Sequence, residues 1–359
     1  MSLPIQAVIS ATGCYLPSVS IRNESFANHH FLERDGSPLR HNQNTVLEKF
    51  QAISGIEERR YAQPDQQASD LGFLAALNAL DSSGIDPESL DYLIVAHNFG
   101  DVAPNSNRVT QVPSLAARIK ARLGISNPSC VAYDLVFGCP GWLEGVIQAQ
   151  YYIRSGDARR CLIIGCETLS RVTDPYDRDT MLFSDGAGAL ILEAASGGRA
   201  GVLAHCTQSH AVEHAQLLSM DRSNAPDQAG QQDLFMKMNG RKLYELALNQ
   251  VPLVIKAALD KAGVPLSSIS KVLIHQANEK MDRAILHRLF GLYGLPIPSS
   301  ALMPMTISWL GNSSVATIPT LLDLLLKGAL DSHQINPGDQ VVFASVGAGM
   351  NINALVYRF

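Results

Sequence analysis

"LDSSGIDPESLDYLIV" (residues 80–95) lies over "LDKAGVPLSSISKVLI" (residues 259–274) without a gap. Leu80/Leu259, Asp81/Asp260 and Gly84/Gly263 are identical, and Ile85/Val264, Leu90/Ile269, Leu93/Val272, Ile94/Leu273 and Val95/Ile274 are similar. The offset, 179, is about half of the 359 residues, and it also sets "CLIIG" (161–165) over "QVVFA" (340–344). Each copy reads as a helix closed by glycine, a loop and a short apolar strand. Two matches at one offset predict two similar halves, 1–198 and 199–359.

A further pair extends the duplication. "GCPGWLEGVIQAQYYIRSG" and "GNSSVATIPTLLDLLLKG" are both helical stretches that are apolar on most sides. Such helices belong between layers, not on a surface. Alternation of helices with β-rich apolar runs predicts an α/β fold of mainly parallel sheets in five layers, α-β-α-β-α. Two central helices then start near the middle of the molecule, one at Cys139 and the other at Asn312. Residues 22–64 and 205–240 are polar and fall outside the repeat, so they read as loop-rich excursions on which a substrate surface is built.

Composition narrows the class. Apolar residues make up 46% and charged residues 17%, which demands a large interior. No apolar run reaches the roughly 18 residues that span a bilayer. The opening "MSLPIQAVISATGCYLP" has no basic leader and reads as a first strand, an expectation of a cytoplasmic protein. A formal charge of −5 offers no footprint for nucleic acid. Six cysteines, at 14, 130, 139, 161, 166 and 206, show neither CxxC nor zinc spacing, which favours neither disulfides nor a metal. Cys161 and Cys166 flank apolar "LIIG" and read as core filler.

Cys139 is different. Gly138 and Gly141 permit a sharp turn, and Pro140 suits a first helical position. A cysteine there meets unpaired N–H groups and the positive end of a helix, which lower a thiol pKa; a buried inert cysteine is the other reading. His275 ends the apolar strand "KVLI" where the first half has Ala96, with His97 and Asn98 close behind; it is either a core histidine or a specialised one. Asn312 in "WLGNSS" alone reads as an N-cap. Asn278, His205, His210 and His214 read as loop or capping groups. Taken together, Cys139, His275 and Asn312 form a more specific set. A thiolate accepts an acyl group from a thioester. A histidine and an asparagine side by side can both donate to one thioester oxygen and stabilise the enolate left when a malonyl unit loses carbon dioxide.

These residues carry a resemblance. The chain resembles the β-ketoacyl-[acyl-carrier-protein] synthase III family of the thiolase superfamily through "GCYLP" (13–17), "SGIEERRYAQPDQQASDLG" (54–72), "GCPGW" around Cys139, "RVTDPYDRDTMLFSDGAGALIL" (171–192), "MKMNGRKLYELA" (236–247), "LIHQAN" (273–278), "GNSSVATIP" (311–319) and "SVGAGMNINALVYRF" (345–359). It implies a homodimer of the thiolase fold with duplicated βαβαβαββ halves. It implies Cys139 as acyl-accepting nucleophile, and His275 with Asn312 as the decarboxylation pair. The backbone N–H groups of Cys139 and of Gly347, Ala348 and Gly349 are implied as the oxyanion hole. The substrates it implies are acyl-CoA or acyl carrier protein and a malonyl carrier protein, with no cofactor and no metal expected. A third-member asparagine separates this chain from elongating ketosynthases, which use two histidines. Ser345 stands where degradative thiolases carry a second cysteine, and "GAGMN" differs from the plant polyketide synthase turn.

The chain also departs from the family. The tryptophan and arginine that hold coenzyme A fall on Lys49 and Ile53; a usual arginine is Lys280, a usual lysine is Glu245, a turn glycine is Ala348, and Pro140 follows the nucleophile. Lys280, Arg283 and His287 recur at helical spacing beside Arg288, a stripe that suits an acidic carrier protein or a phosphopantetheine phosphate, or is a solvated face. Lys49, Arg59 and Arg60 are further docking candidates. The expected activity is acylation of Cys139 followed by decarboxylative Claisen condensation in fatty-acid or specialised lipid biosynthesis. The alternatives are acyl transfer, or condensation without decarboxylation, through the same acyl-cysteine, and a non-catalytic partner subunit.

Overall fold

Gly84 and Gly263, which close the two matched helices, both adopt the left-handed conformation, at φ 66° and 65°. Each is followed by a 3-10 turn, Pro87–Ser89 or Leu266–Ser268, and then by a strand. The duplication read from the sequence is therefore a duplication of structure. The computed structural model describes residues 5–106, 108–225, 227 and 233–359.

The first half runs β1 (Ile5–Tyr15), β2 (Val19–Arg22), α1 (Gln43–Ser54), β3 (Glu58–Tyr61), α2 (Ala68–Ser83), β4 (Tyr92–Ala96), β5 (Asp101–Val102), β6 (Val109–Thr110), α3 (Leu115–Arg122), β7 (Val131–Leu135), α4 (Gly141–Ser155), β8 (Arg160–Thr168) and β9 (Asp185–Ser196). The second runs β10 (Gly201–Ser209), α5 (Ala211–His214), β11 (Leu218–Asp221), β12 (Phe235–Met238), α6 (Gly240–Ala262), β13 (Ile269–Ile274), α7 (Glu279–Leu292), α8 (Ile307–Leu310), α9 (Thr317–Leu326), β14 (Gln340–Gly347) and β15 (Asn351–Arg358). One sheet has the order β1-β9-β8-β4-β7 and the other β10-β15-β14-β13. The orders correspond strand for strand, except that among the described residues β7 has no mate in the second half. The chain ahead of α8 carries Pro304, which has no N–H for a ladder. The Gln276 side chain serves that stretch instead, donating to Pro304 O at 3.0 Å and accepting from Thr306 N at 2.8 Å and Ile307 N at 3.0 Å.

Two expectations need correction. The sheets are mixed: β4–β7, β4–β8 and β13–β14 are parallel, and the other pairings within the two sheets are antiparallel. The cause is that β9 and β15 follow their neighbours with no crossover α-helix, and β15 follows within a three-residue turn. The offset also drifts. Tyr92 pairs with Cys161 while Lys271 pairs with Val341, so Cys161 corresponds to Val341 and not to Gln340.

Packing shows five layers. Trp142, Val146 and Ile147 of α4 and Ile318, Leu321 and Leu322 of α9 share one core with Ile94 and Ile163 of the first sheet and Leu273, Phe343 and Leu355 of the second. Both central helices thus lie between the sheets. Leu71 and Ile119, from α2 and α3, cover the outer face of the first sheet. Val251, Ile255, Ile285 and Leu289, from α6 and α7, cover that of the second. Cys161 and Cys166 are fully buried, as core filler should be. Among the described residues no helix is long and apolar enough to cross a membrane.

The excursions are more ordered than their polarity suggested. Residues 22–64 hold α1, started by Asn42, whose side chain accepts from Thr45 N at 2.9 Å, and β3, which pairs with β2 at the head of the segment. Arg59 organises this segment. It is fully buried, donates to Met181 O, Ile21 O and Asn23 Oδ1 at 3.0, 3.0 and 2.7 Å, and lies over the Phe26 and Phe50 rings. It is therefore a structural cation and not a docking group. Of residues 205–240, the first five continue β10 and later ones form α5 and the β11–β12 hairpin; 226 and 228–232 lie outside the described residues. Removing Arg59 strands three buried acceptors, so Arg59→Ala should lower unfolding free energy by about 3 kcal/mol, read from urea denaturation, while Arg60→Ala should change little.

Candidate active site

Cys139 lies between the end of β7 and the start of α4. Gly138 turns the chain at φ 66° and its carbonyl accepts from Gly141 N at 2.9 Å. Pro140 caps α4 at φ −68°, where a missing N–H costs nothing, and its carbonyl accepts from Glu144 N at 3.0 Å. Asn353 Nδ2, on β15, reaches the same carbonyl at 3.5 Å. The Gly347–Gly349 turn presses directly on this loop. A Cβ on Gly138 would stand 2.6 Å from Ala348 N and O, and one on Gly347 would stand 2.8 Å from Cys139 Cβ. Only glycine at both positions lets the two backbones meet.

His275 follows β13, held by its N–H to Ala344 O at 2.8 Å, and is 3% exposed. Its Nδ1 has no partner among the described residues. Burial lowers its pKa to about 4, so the ring is neutral at pH 7 and keeps one N–H to donate. Asn312 is stitched to the 182–184 loop through Asn312 N to Leu182 O (3.0 Å) and Ser184 N to Asn312 O (2.9 Å). It does not cap α9. Ser314 takes a left-handed φ of 53°, which delays α9 to Thr317, and Asn312 Oδ1 accepts from Ser314 N at 2.9 Å. With its oxygen engaged, the amide has its Nδ2 donors free of protein partners among the described residues.

All three side chains line one cavity of about 380 Å³, near the lower end of the range usual for small-molecule sites. Ala348, Gly349 and Ser314 line it too, and the rest is largely apolar, with Met220, Met236, Met238, Met281, Leu243 and Phe183. The β11–β12 hairpin and the starts of α6 and α7 supply much of this wall. An acyl chain fits such a lining.

Of the two influences on the thiol, burial outweighs the helix start. Burial raises Cys139 to about 11, against the lowering pull of a Ser314 hydroxyl 3.2 Å from Sγ. The helix start does not by itself yield a resting thiolate, because taking the charged sulfur out of water costs more. Sequence reading also missed the groups behind Ser314. Asn98 Nδ2 donates to Ser314 Oγ at 3.0 Å and to Glu167 Oε1 at 2.5 Å, and Asn98 N donates to the same oxygen at 2.7 Å. Burial raises Glu167 to about 7. The available signal was a carboxylate directly after the apolar strand "CLIIGC", where nothing solvates it.

Lys280, Arg283, His287 and Arg288 are all exposed along α7, outside the cavity. Arg283 pairs with Glu279 at 2.7 Å, and Arg288 bonds Asn249 and Leu248 O. Lys280 and His287 have no partner among the described residues. Lys49 contacts His41, Ile53 is 52% exposed, and Glu245 pairs with Arg241. Asn278 caps α7 as expected, accepting from Met281 N, whereas His205 lies in β10 instead of a loop.

A duplicated α-β-α-β-α sandwich with a cysteine at a central helix start, facing histidine and asparagine over an apolar cavity, defines an acyl-transferring condensing enzyme of the thiolase fold. The chain belongs to the 3-oxoacyl-[acyl-carrier-protein] synthase III family, whose models match residues 133–211 and, for the C-terminal part, 259–359. It is similar to the β-ketoacyl-[acyl-carrier-protein] synthase III of Thermus thermophilus (31% identity, TM-score 0.80, 98% of each chain covered). It is also similar to the 3-oxoacyl-[acyl-carrier-protein] synthase III of Aquifex aeolicus (26%, TM-score 0.79, 98% of this chain and 100% of that one). A priming β-ketosynthase of a polyketide biosynthetic pathway shares the fold at 22% identity (TM-score 0.81, 100% of this chain and 98% of that one).

His275 has a pH signature. Its folded pKa lies below the unfolded value of 6.5, so the unfolded chain binds the proton first as pH falls. The fold has the full benefit above about pH 6.5 and loses it progressively toward about pH 4. The drop in urea midpoint between pH 7.5 and pH 5 should be smaller in His275→Asn than in the parent chain.

Proposed function

We propose that the protein condenses an acyl group with a malonyl thioester. Cys139 sulfur attacks the donor thioester carbon, the carbon–sulfur bond to the donor breaks, and the departing thiolate takes the cysteine proton. The oxyanion formed on the way rests against the amides of Cys139 and the Gly347–Gly349 turn. A malonyl thioester then places its carbonyl oxygen between His275 and Asn312. Its carbon–carboxylate bond breaks, carbon dioxide leaves, and the enolate attacks the acyl carbon; Cys139 departs as thiolate and a β-ketoacyl thioester remains. One observation carries this reading: the neutral imidazole and an amide whose oxygen is already engaged present donors to the cavity that Cys139 lines.

Donors in this proposal are acyl-CoA or acyl carrier protein, the extender is a malonyl carrier protein, and no cofactor or metal takes part. Lys280, Arg283 and Arg288 offer exposed cations for the acidic carrier, and the exposed His287 adds a polar ring to the same stripe. The protein works in the cytoplasm as a homodimer. Among the described residues nothing pairs with the outer edge of β7, and Val131 and Val136 there are 47% and 61% exposed, surface that a second copy would cover.

The test is a panel of acyl-CoAs and acyl carrier proteins, with adduct mass read on Cys139, followed by malonyl carrier protein. His275→Ala and Asn312→Ala should still acylate Cys139 but release carbon dioxide about 100-fold more slowly. If no donor labels Cys139, the proposal fails. If labelling occurs with no release of carbon dioxide, simple acyl transfer is the activity.

A further inference from the structure

Ser314 stands in an unusual backbone conformation that does more than engage the Asn312 amide oxygen. A non-glycine residue at φ 53° is strained, and such strain persists only where surrounding contacts fix it. Here Asn312 Oδ1 holds Ser314 N at 2.9 Å, and Ser314 is 4% exposed. The result of the twist is that Ser314 Oγ lies 3.2 Å from Cys139 Sγ.

The direction of that contact is set from behind. Glu167 Oε1 takes two N–H bonds from Asn98, one from the backbone and one from Nδ2. This fixes the amide with its NH₂ toward the carboxyl oxygen, and the second N–H of that group reaches Ser314 Oγ at 3.0 Å. Since Oγ is occupied as an acceptor, its one proton is free to point at sulfur. We propose that Ser314 is a catalytic residue, donating a hydrogen bond to the Cys139 sulfur to stabilise its thiolate during acyl transfer, with Asn98 and Glu167 as the positioning residues that aim its hydroxyl. The proposal rests on Cys139 as the acyl acceptor. Ser314 keeps its own proton; the cysteine proton leaves with the donor thiol.

Among the described residues the titratable groups facing this chain are His275, which lines the same cavity, and Glu167 on β8. Glu167 in turn faces His97 and Asp185. His97 Nδ1 accepts from Gly100 N, leaving Nε2 to carry the ring proton toward Asp134.

The experiment is iodoacetamide alkylation of Cys139 across pH, read by mass spectrometry of the peptide that contains it. No acyl donor is needed, so failure here is separate from failure of the condensing activity. Ser314→Gly removes the hydroxyl while glycine accepts the left-handed backbone without strain. It should slow alkylation at pH 7 by about tenfold or more and raise the pH midpoint, as expected for losing a hydrogen bond to a charged group. Asn98→Leu, nearly isosteric and without donors, should shift the midpoint the same way by less. The double variant should do no worse than Ser314→Gly alone, because Asn98 acts only through Ser314. An unchanged midpoint in Ser314→Gly overturns the catalytic role, and additive losses overturn the chain that aims it.

Discussion

Backbone contact between two glycine turns governs this molecule. The Gly138 turn belongs to the first half and the Gly347 turn to the second, and each lacks a side chain where the other approaches. A methyl group at either point would drive apart the start of α4 and the tip of the β14–β15 hairpin. The five layers, the two central helices and the apolar interior between the sheets all serve to hold these turns together. Dense packing matters here because a well-packed interior transmits displacement instead of absorbing it.

Desolvation is the second constraint. The same burial that keeps His275 neutral, and so able to donate, also raises the thiol of Cys139. One site cannot dry the imidazole without drying the sulfur beside it. A hydroxyl donor at Sγ offsets part of that cost while adding no charge of its own, which a lysine in the same place would do at the expense of the neutral imidazole.

Much of this was legible in the sequence, because the two halves repeat the same physical solution. The helix-closing glycines 84 and 263 and the apolar strands after them announce a duplicated, layered interior, and Cys139, His275 and Asn312 stand where elements begin or end. What stayed hidden depends on distance along the chain. Asn98 and Ser314 are 216 residues apart, and no spacing rule brings them together. Arg59 looked like a surface cation because nothing in "GIEERRY" marks it as buried among the carbonyls of Ile21 and Met181. The mixed sheets were missed because apolar runs look alike in parallel and antiparallel pairs.

Among the described residues the sheet of the second half stops at four strands, with no counterpart of β7. A ladder would have satisfied the stretch around Pro304 by repetition, one backbone group to the next. Instead a single amide, Gln276, gathers three of its backbone groups, and Gln276 is the residue after His275. The imidazole therefore stands at the root of an anchor whose entropy was surrendered during folding. Less orientational freedom remains to be lost on binding, and the half with the four-stranded sheet is the half that carries His275 and Asn312.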